Sequence, residues 1–105
     1  MARKRETFEW YREALADVEG ITLNHDAVNT KKKFWLVTAV LDPMLEWPKE
    51  KLMVAFDAGG IDSRPMFHPI SSLPAYDGQA EAAVARKRNA VSYRLSPWGI
   101  NLPSA

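Results

Sequence analysis

The chain has 105 residues, 47% of them hydrophobic and 26% charged, and a formal net charge of +1. That length suits one domain with a core of its own, the mixture is that of a globular protein rather than a disordered tail, and near-neutral charge argues against a dedicated polyanion binder. Cysteine is absent, which excludes disulfides, thiol catalysis and thiolate metal sites, and no apolar run approaches the roughly 18–20 residues that span a bilayer. A cytoplasmic protein with no nucleic-acid and no membrane partner is the expectation.

Arg3 to Val18 reads as an amphipathic helix. Phe8, Tyr11, Leu15 and Val18 recur at spacings of three and four, with Trp10 and Ala14 widening the apolar face, and Gly20 is a plausible stop. Ile21 to Leu23 is a short extended piece, followed by a polar loop from Asn24 to Thr30 that holds His25. After the basic triplet Lys31 to Lys33, the apolar and β-branched run Phe34 to Leu41 reads as a strand buried on both faces. Pro43 marks a turn, and Pro48 opens a helix to about Ala58, with Leu52, Ala55 and Phe56 on its buried side and Lys49, Glu50 and Lys51 in solvent.

Gly59 and Gly60 end that helix and release the chain into an extended stretch, Ile61 to Phe67, expected to pair with Phe34 to Leu41. Pro65, Pro69 and Pro74 then stiffen the path, each pushing its predecessor out of the helical region. Arg64, Phe67, His68, Ser71, Ser72 and Tyr76 are therefore held on a stiff loop. A fixed guanidinium fork suits a carboxylate or phosphate, an imidazole or hydroxyl suits a sugar hydroxyl, and an aromatic ring packs on a sugar or base. Beyond Asp77 and Gly78, Gln79 to Arg88 reads as an alanine-rich helix closed by three cations, and Val91 and Leu95 give a second helical segment its apolar edge before Pro97. The fold class is α+β: a small, mostly antiparallel sheet with helices packed on one face.

Other chemistries find no support. Two histidines far apart without cysteine lack metal-ligand spacing, Gly59-Gly60 precedes a strand where a phosphate loop would precede a helix, and Ser71 and Ser72 lack a nucleophile elbow. The basic clusters Arg3 to Arg5, Lys31 to Lys33 and Arg86 to Arg88 read as solvated faces among interspersed acids.

Gly60, Ile61, Ser63, Arg64, Pro65, Phe67, Pro69, Ile70, Pro74 and Tyr76 form a segment that resembles the C-terminal domain of the DegT/DnrJ/EryC1/StrS sugar aminotransferases. Arg3 to Arg5 with Tyr11 and Leu15, Trp35 with Leu41 and Asp42, and the closing Gly99-Ile100-Asn101-Leu102-Pro103-Ser104 extend the likeness over nearly the whole chain. The His-Pro-Ile-Ser-Ser-Leu-Pro variant and Tyr93 to Ser104 are most similar to the perosamine synthase branch. The resemblance implies the small C-terminal domain of a pyridoxal phosphate aminotransferase that aminates a GDP-linked 4-keto-6-deoxy sugar with glutamate as donor.

It further implies a larger N-terminal domain carrying the lysine, carboxylate and phosphate donors that hold pyridoxal phosphate, and a homodimer. Both ends of the match look cut, so a parent chain extending upstream of Met1 is expected. The lysines here all lie in polar stretches with nothing to desolvate them, and the chain alone is expected to bind no cofactor and to be inactive. Arg64, Phe67, His68, Ser71, Ser72 and Tyr76 would form one wall of the substrate site. A free-standing nucleotide-sugar-binding or interaction module without catalysis is the alternative.

Overall fold

In the computed structural model, which describes residues 2–104, the chain runs as α1 (Ala2–Ala14), β1 (Ile21–Leu23), β2 (Val37–Leu41), α2 (Lys49–Ala58), β3 (Arg64–Pro65), α3 (Ala80–Arg88), α4 (Ala90–Leu95) and β4 (Gly99–Leu102). Single 3-10 turns lie at Pro43–Leu45, Ile70–Ser72, Pro74–Tyr76 and Ser96–Trp98. The four strands make one antiparallel sheet in the order β1-β2-β4-β3. This is the α+β architecture that the residue pattern predicts.

Directly opposed residues share a face of a sheet. The register therefore puts Leu23, Ala39, Ile100 and Pro65 on one side, together with the pairs Ile21–Leu41 and Val37–Leu102. That side is the core: Val37 and Ile100 are fully buried, and Phe8 of α1 packs there with Leu52, Met53 and Phe56 of α2 half-buried around it. Thr22, Val40 and Gly99 line up on the other side, as do Thr38, Asn101 and Arg64. There the Thr38 hydroxyl donates to Asn101 Oδ1 (2.8 Å), and Asn101 Nδ2 donates to the Pro65 carbonyl (3.3 Å).

Several sequence expectations are corrected. The first helix stops at Ala14, not Val18. The apolar face that reaches the core is narrower than the spacing suggested, since Trp10 is half exposed and Val18 lies beyond the helix, exposed. Phe34 does not begin a strand. Its φ of 48° swings the ring away from the strand path and onto Phe8, with centroids 3.9 Å apart and planes within 19°. A non-glycine residue there costs about 1–2 kcal/mol, which burial of the ring, about 1.5–3 kcal/mol, offsets. The strand that follows alternates buried with half-buried residues because its second face is only partly covered.

The pairing expectation fails as well. β2 and β3 are not paired, because β4 lies between them and bonds to both. The extended stretch Ile61 to Phe67 shrinks to two paired residues at a sheet edge, where Pro65 has no N–H to give. In α2, Met53 takes the inner place expected of the exposed Ala55.

Lys49 is the largest surprise: it is 2% exposed. Its ammonium donates to the Ser96 carbonyl (2.8 Å), tying the start of α2 to the turn that leads into β4. Burial pushes its pKa below the ordinary lysine value, with Glu50 opposing.

Two outcomes follow for stability. Phe8→Ala should lose about 3–5 kcal/mol in urea unfolding, the usual cost of emptying a buried aromatic site, whereas the exposed Val28→Ala should stay within about 0.5 kcal/mol. For Lys49 the folded chain gives up its proton before the unfolded one. Relative to Lys49→Met, the natural chain therefore gains stability as pH rises from the folded-state pKa toward 10.5, and carries a constant penalty below that window. Urea midpoints of both chains at several alkaline pH values check this; a pH-independent difference would show that burial does not perturb Lys49.

Candidate functional site

Local stiffness shapes the segment after β3. Pro69 and Pro74 lead two consecutive 3-10 turns, closed by Ser72 N–H to the Pro69 carbonyl (2.8 Å), Leu73 to Ile70 (3.1 Å), Tyr76 to Leu73 (3.0 Å) and Asp77 to Pro74 (3.1 Å). Backbone groups are thus satisfied within the loop, as a surface loop requires.

Side chains from α3 and α4 fasten it. The buried Ser71 hydroxyl shares a hydrogen bond with the Tyr93 hydroxyl (2.7 Å). Arg86 Nη2 donates to the Ser71 carbonyl (3.3 Å) and to the Asp77 carboxylate (3.0 Å), bridging the middle and the end of the loop. Asp77, with some help from Tyr93, raises the Arg86 pKa above its ordinary value. Being exposed, the Arg86–Asp77 pair contributes at most about 1 kcal/mol; its value lies in geometry.

Between loop and helices lies an open-sided cavity of about 640 Å³. Phe67, His68, Ser71 and Tyr76 line it from the loop together with the exposed Ile70, and the half-buried Met66 and buried Ala82 complete its apolar lining. Four of the six candidate residues are therefore brought together. Phe67 is 66% exposed, with its ring 6.5 Å from that of Trp35.

Arg64 and Ser72 do not line this cavity. Arg64 stands on β3 opposite Asn101 and makes an exposed contact with Asp62 (3.6 Å), while the Ser72 hydroxyl closes on the Pro69 carbonyl (2.6 Å). The opposite wall, missed in the sequence, comes from Gln79, Glu81, Asn89 and Ser92. Glu81 lies in the alanine-rich α3, Gln79 and Asn89 flank that helix and Ser92 belongs to α4, so no single spacing in the sequence marked them as one wall.

The other candidate features resolve as follows. Lys31, Lys32, Lys33 and Arg5 surround a second hollow of about 330 Å³, where Arg5 pairs with Asp26 (3.2 Å), donates to the Lys32 carbonyl (2.8 Å) and lies over the Phe34 ring. Two basic clusters distant in sequence thus meet. Among the described residues, no three His, Cys, Asp or Glu side chains converge as metal ligands, and no helix is long and apolar enough to cross a membrane.

Pyridoxal phosphate needs an accessible lysine amine, a carboxylate for the ring nitrogen and donors for the phosphate. Lys49 corrects the expectation that no lysine is desolvated, but its amine is held by the Ser96 carbonyl and it lines neither hollow described above. Its surroundings do not fit the cofactor.

Comparison with known proteins agrees with this architecture. The chain is 35% identical over 101 residues to the GDP-perosamine synthase of Vibrio cholerae, covering 96% of this chain and 26% of that protein. It is 30% identical over 105 residues to the GDP-perosamine synthase of Caulobacter vibrioides, covering 99% and 27%. Its fold is similar to part of DesI, solved in the presence of its TDP-sugar product (TM-score 0.78, 21% identity, 97% of this chain and 25% of that one). The sugar aminotransferase CalS13 from Micromonospora echinospora is also similar (TM-score 0.67, 18% identity, 98% and 25%). The chain spans about a quarter of the length of these relatives. The model of the DegT/DnrJ/EryC1/StrS aminotransferase family matches residues 1–105, and the chain belongs to that family.

Proposed function

We propose that this chain is the C-terminal part of a nucleotide-sugar aminotransferase and supplies one wall of its substrate site. The observation that carries this reading is the gathering of Phe67, His68, Ser71 and Tyr76 around one open cavity, on a loop made rigid by its prolines, its turns and the Arg86 bridge. The two GDP-perosamine synthases that match nearly the whole chain support a GDP-linked 4-keto-6-deoxy sugar as substrate, with glutamate as amino donor.

Pyridoxal phosphate, held by a large N-terminal domain of a homodimeric parent, would supply the electron sink for amine transfer. This chain's residues orient. The His68 imidazole and Ser71 hydroxyl hydrogen-bond sugar hydroxyls, and Phe67 and Tyr76 pack on apolar ring faces. Arg64, outside the cavity and largely in solvent, takes a carboxylate or phosphate of a ligand reaching along the sheet face. Ser72 acts through the turn it closes at Pro69. Holding the keto sugar in one pose lowers the barrier by removing its rotational freedom before reaction.

Titration of the 105-residue chain with GDP-mannose, followed by amide NMR, checks the wall. Saturable shifts are expected at Phe67, His68 and Tyr76, and His68→Ala should weaken binding roughly tenfold, the loss of one good hydrogen bond. Absence of shifts at those residues would overturn the reading.

A further inference from the structure

The cavity beside the proline loop has two chemically different walls, and the helical wall has no assigned role. Gln79, Glu81, Asn89 and Ser92 reach it from α3 and the start of α4. Gln79 makes one long bond to the Ala75 carbonyl (3.5 Å). Among the described residues, Glu81 has no salt-bridge partner within 4.0 Å and no hydrogen bond engages the Asn89 or Ser92 side chain.

The inventory is informative. One carboxylate, two carboxamides and a hydroxyl give both acceptors and donors, beside the buried Ala82 of α3 and facing the loop's Ile70 and aromatic rings. That mixture matches a ring carrying several hydroxyls, whose edges hydrogen-bond and whose face is apolar.

The charge of the wall narrows the class further. No lysine or arginine lines the cavity, and Glu81 is its single acidic residue. The nearest cation along the same helix face is Arg88, which lines an adjoining hollow of about 540 Å³ that Glu81 and Asn89 also border. At 1.5 Å per residue, Arg88 lies about 10 Å further along α3, at the negative end of the helix dipole, where its charge is partly offset. A phosphoryl group in the cavity would face the Glu81 carboxylate, while the Arg86 guanidinium that reaches the Ser71 carbonyl is already paired with the Asp77 carboxylate.

We propose that this cavity takes an uncharged or amino-bearing sugar ring and rejects an anionic one, with Glu81 setting the preference and Asn89 orienting the ring hydroxyls. The inference rests on reading the cavity as a substrate wall, and it places the diphosphate of a nucleotide sugar outside the cavity. An amino group on the ring would meet Glu81, so the same wall favours an aminated product over its keto precursor.

The test compares mannose, mannosamine and mannose 6-phosphate at neutral pH, by amide NMR of the 105-residue chain. Shifts at Glu81 and Asn89 should saturate earliest with mannosamine, later with mannose and last with the phosphate. Glu81→Gln should erase that order while leaving the mannose shifts in place, and Asn89→Ala should weaken all three about tenfold. Tightest binding by the phosphate, an order unchanged in Glu81→Gln, or no mannose-dependent shift at α3 overturns the proposal. GDP-mannose separates the two readings: shifts at Phe67 and His68 with α3 silent would remove this inference and leave the loop wall standing. No response to GDP-mannose at the loop would instead remove the wall.

Discussion

Ile100 joins the halves of this molecule. It is fully buried on β4, the last strand in sequence, and faces Ala39 of β2 on one side and Pro65 of β3 on the other. Without β4, β2 and β3 have no pairing to join them, and the helices on the core face lose the centre of the surface they cover. The loop that carries Phe67 and His68 is anchored at its base by the same strand, through the Met66 N–H to the Gly99 carbonyl (3.0 Å). Gly99 has no side chain to spare there, since a Cβ would fall 2.5 Å from Met66 Sδ. Loop placement thus depends on residues more than thirty positions later.

That dependence explains what could be read in advance and what could not. Helices were legible where apolar spacing and proline or glycine punctuation agree, as in α2 between Pro48 and Gly59, and the α+β class follows from their alternation with short β-branched runs. Strand partners were not legible. β2 and β4 carry apolar residues at alternate positions and β3 is only Arg64–Pro65, and nothing in those patterns says which pair meets. Nor did the alternation warn that Phe34 would leave the strand for a left-handed turn, because the reward for that turn is a ring on α1, far away in sequence. Lys49 was misread for a related reason: charge type predicts exposure only until a carbonyl such as that of Ser96 is held within reach of a long stem.

The candidate site divides in the same way. Its loop half was visible because prolines, glycines and polar aromatics in close succession carry local meaning. Its helical half was invisible because Glu81 and Asn89 acquire their role only when α3 is folded against the loop. The basic clusters at Arg5 and Lys31 to Lys33 show the converse. Each reads as a solvated face, and tertiary structure sets them side by side around one hollow.

An exposed loop is ordered here without a core beneath it. Phe67, Ile70, Leu73 and Tyr76 all remain substantially in solvent, so apolar burial cannot be what fixes the backbone. Order comes instead from a low starting entropy and short-range bonds. A compatible proline removes about 0.4–1 kcal/mol of unfolded-chain freedom, and Pro65, Pro69 and Pro74 fall within ten residues. The two 3-10 turns satisfy their own backbone, and Ser71 is the one buried point, fixed through its hydroxyl to Tyr93 and through its carbonyl to Arg86. A surface held this way keeps its shape while staying wet. Its aromatic and polar groups remain open to a ligand, and little of their ordering cost is left to be met on binding.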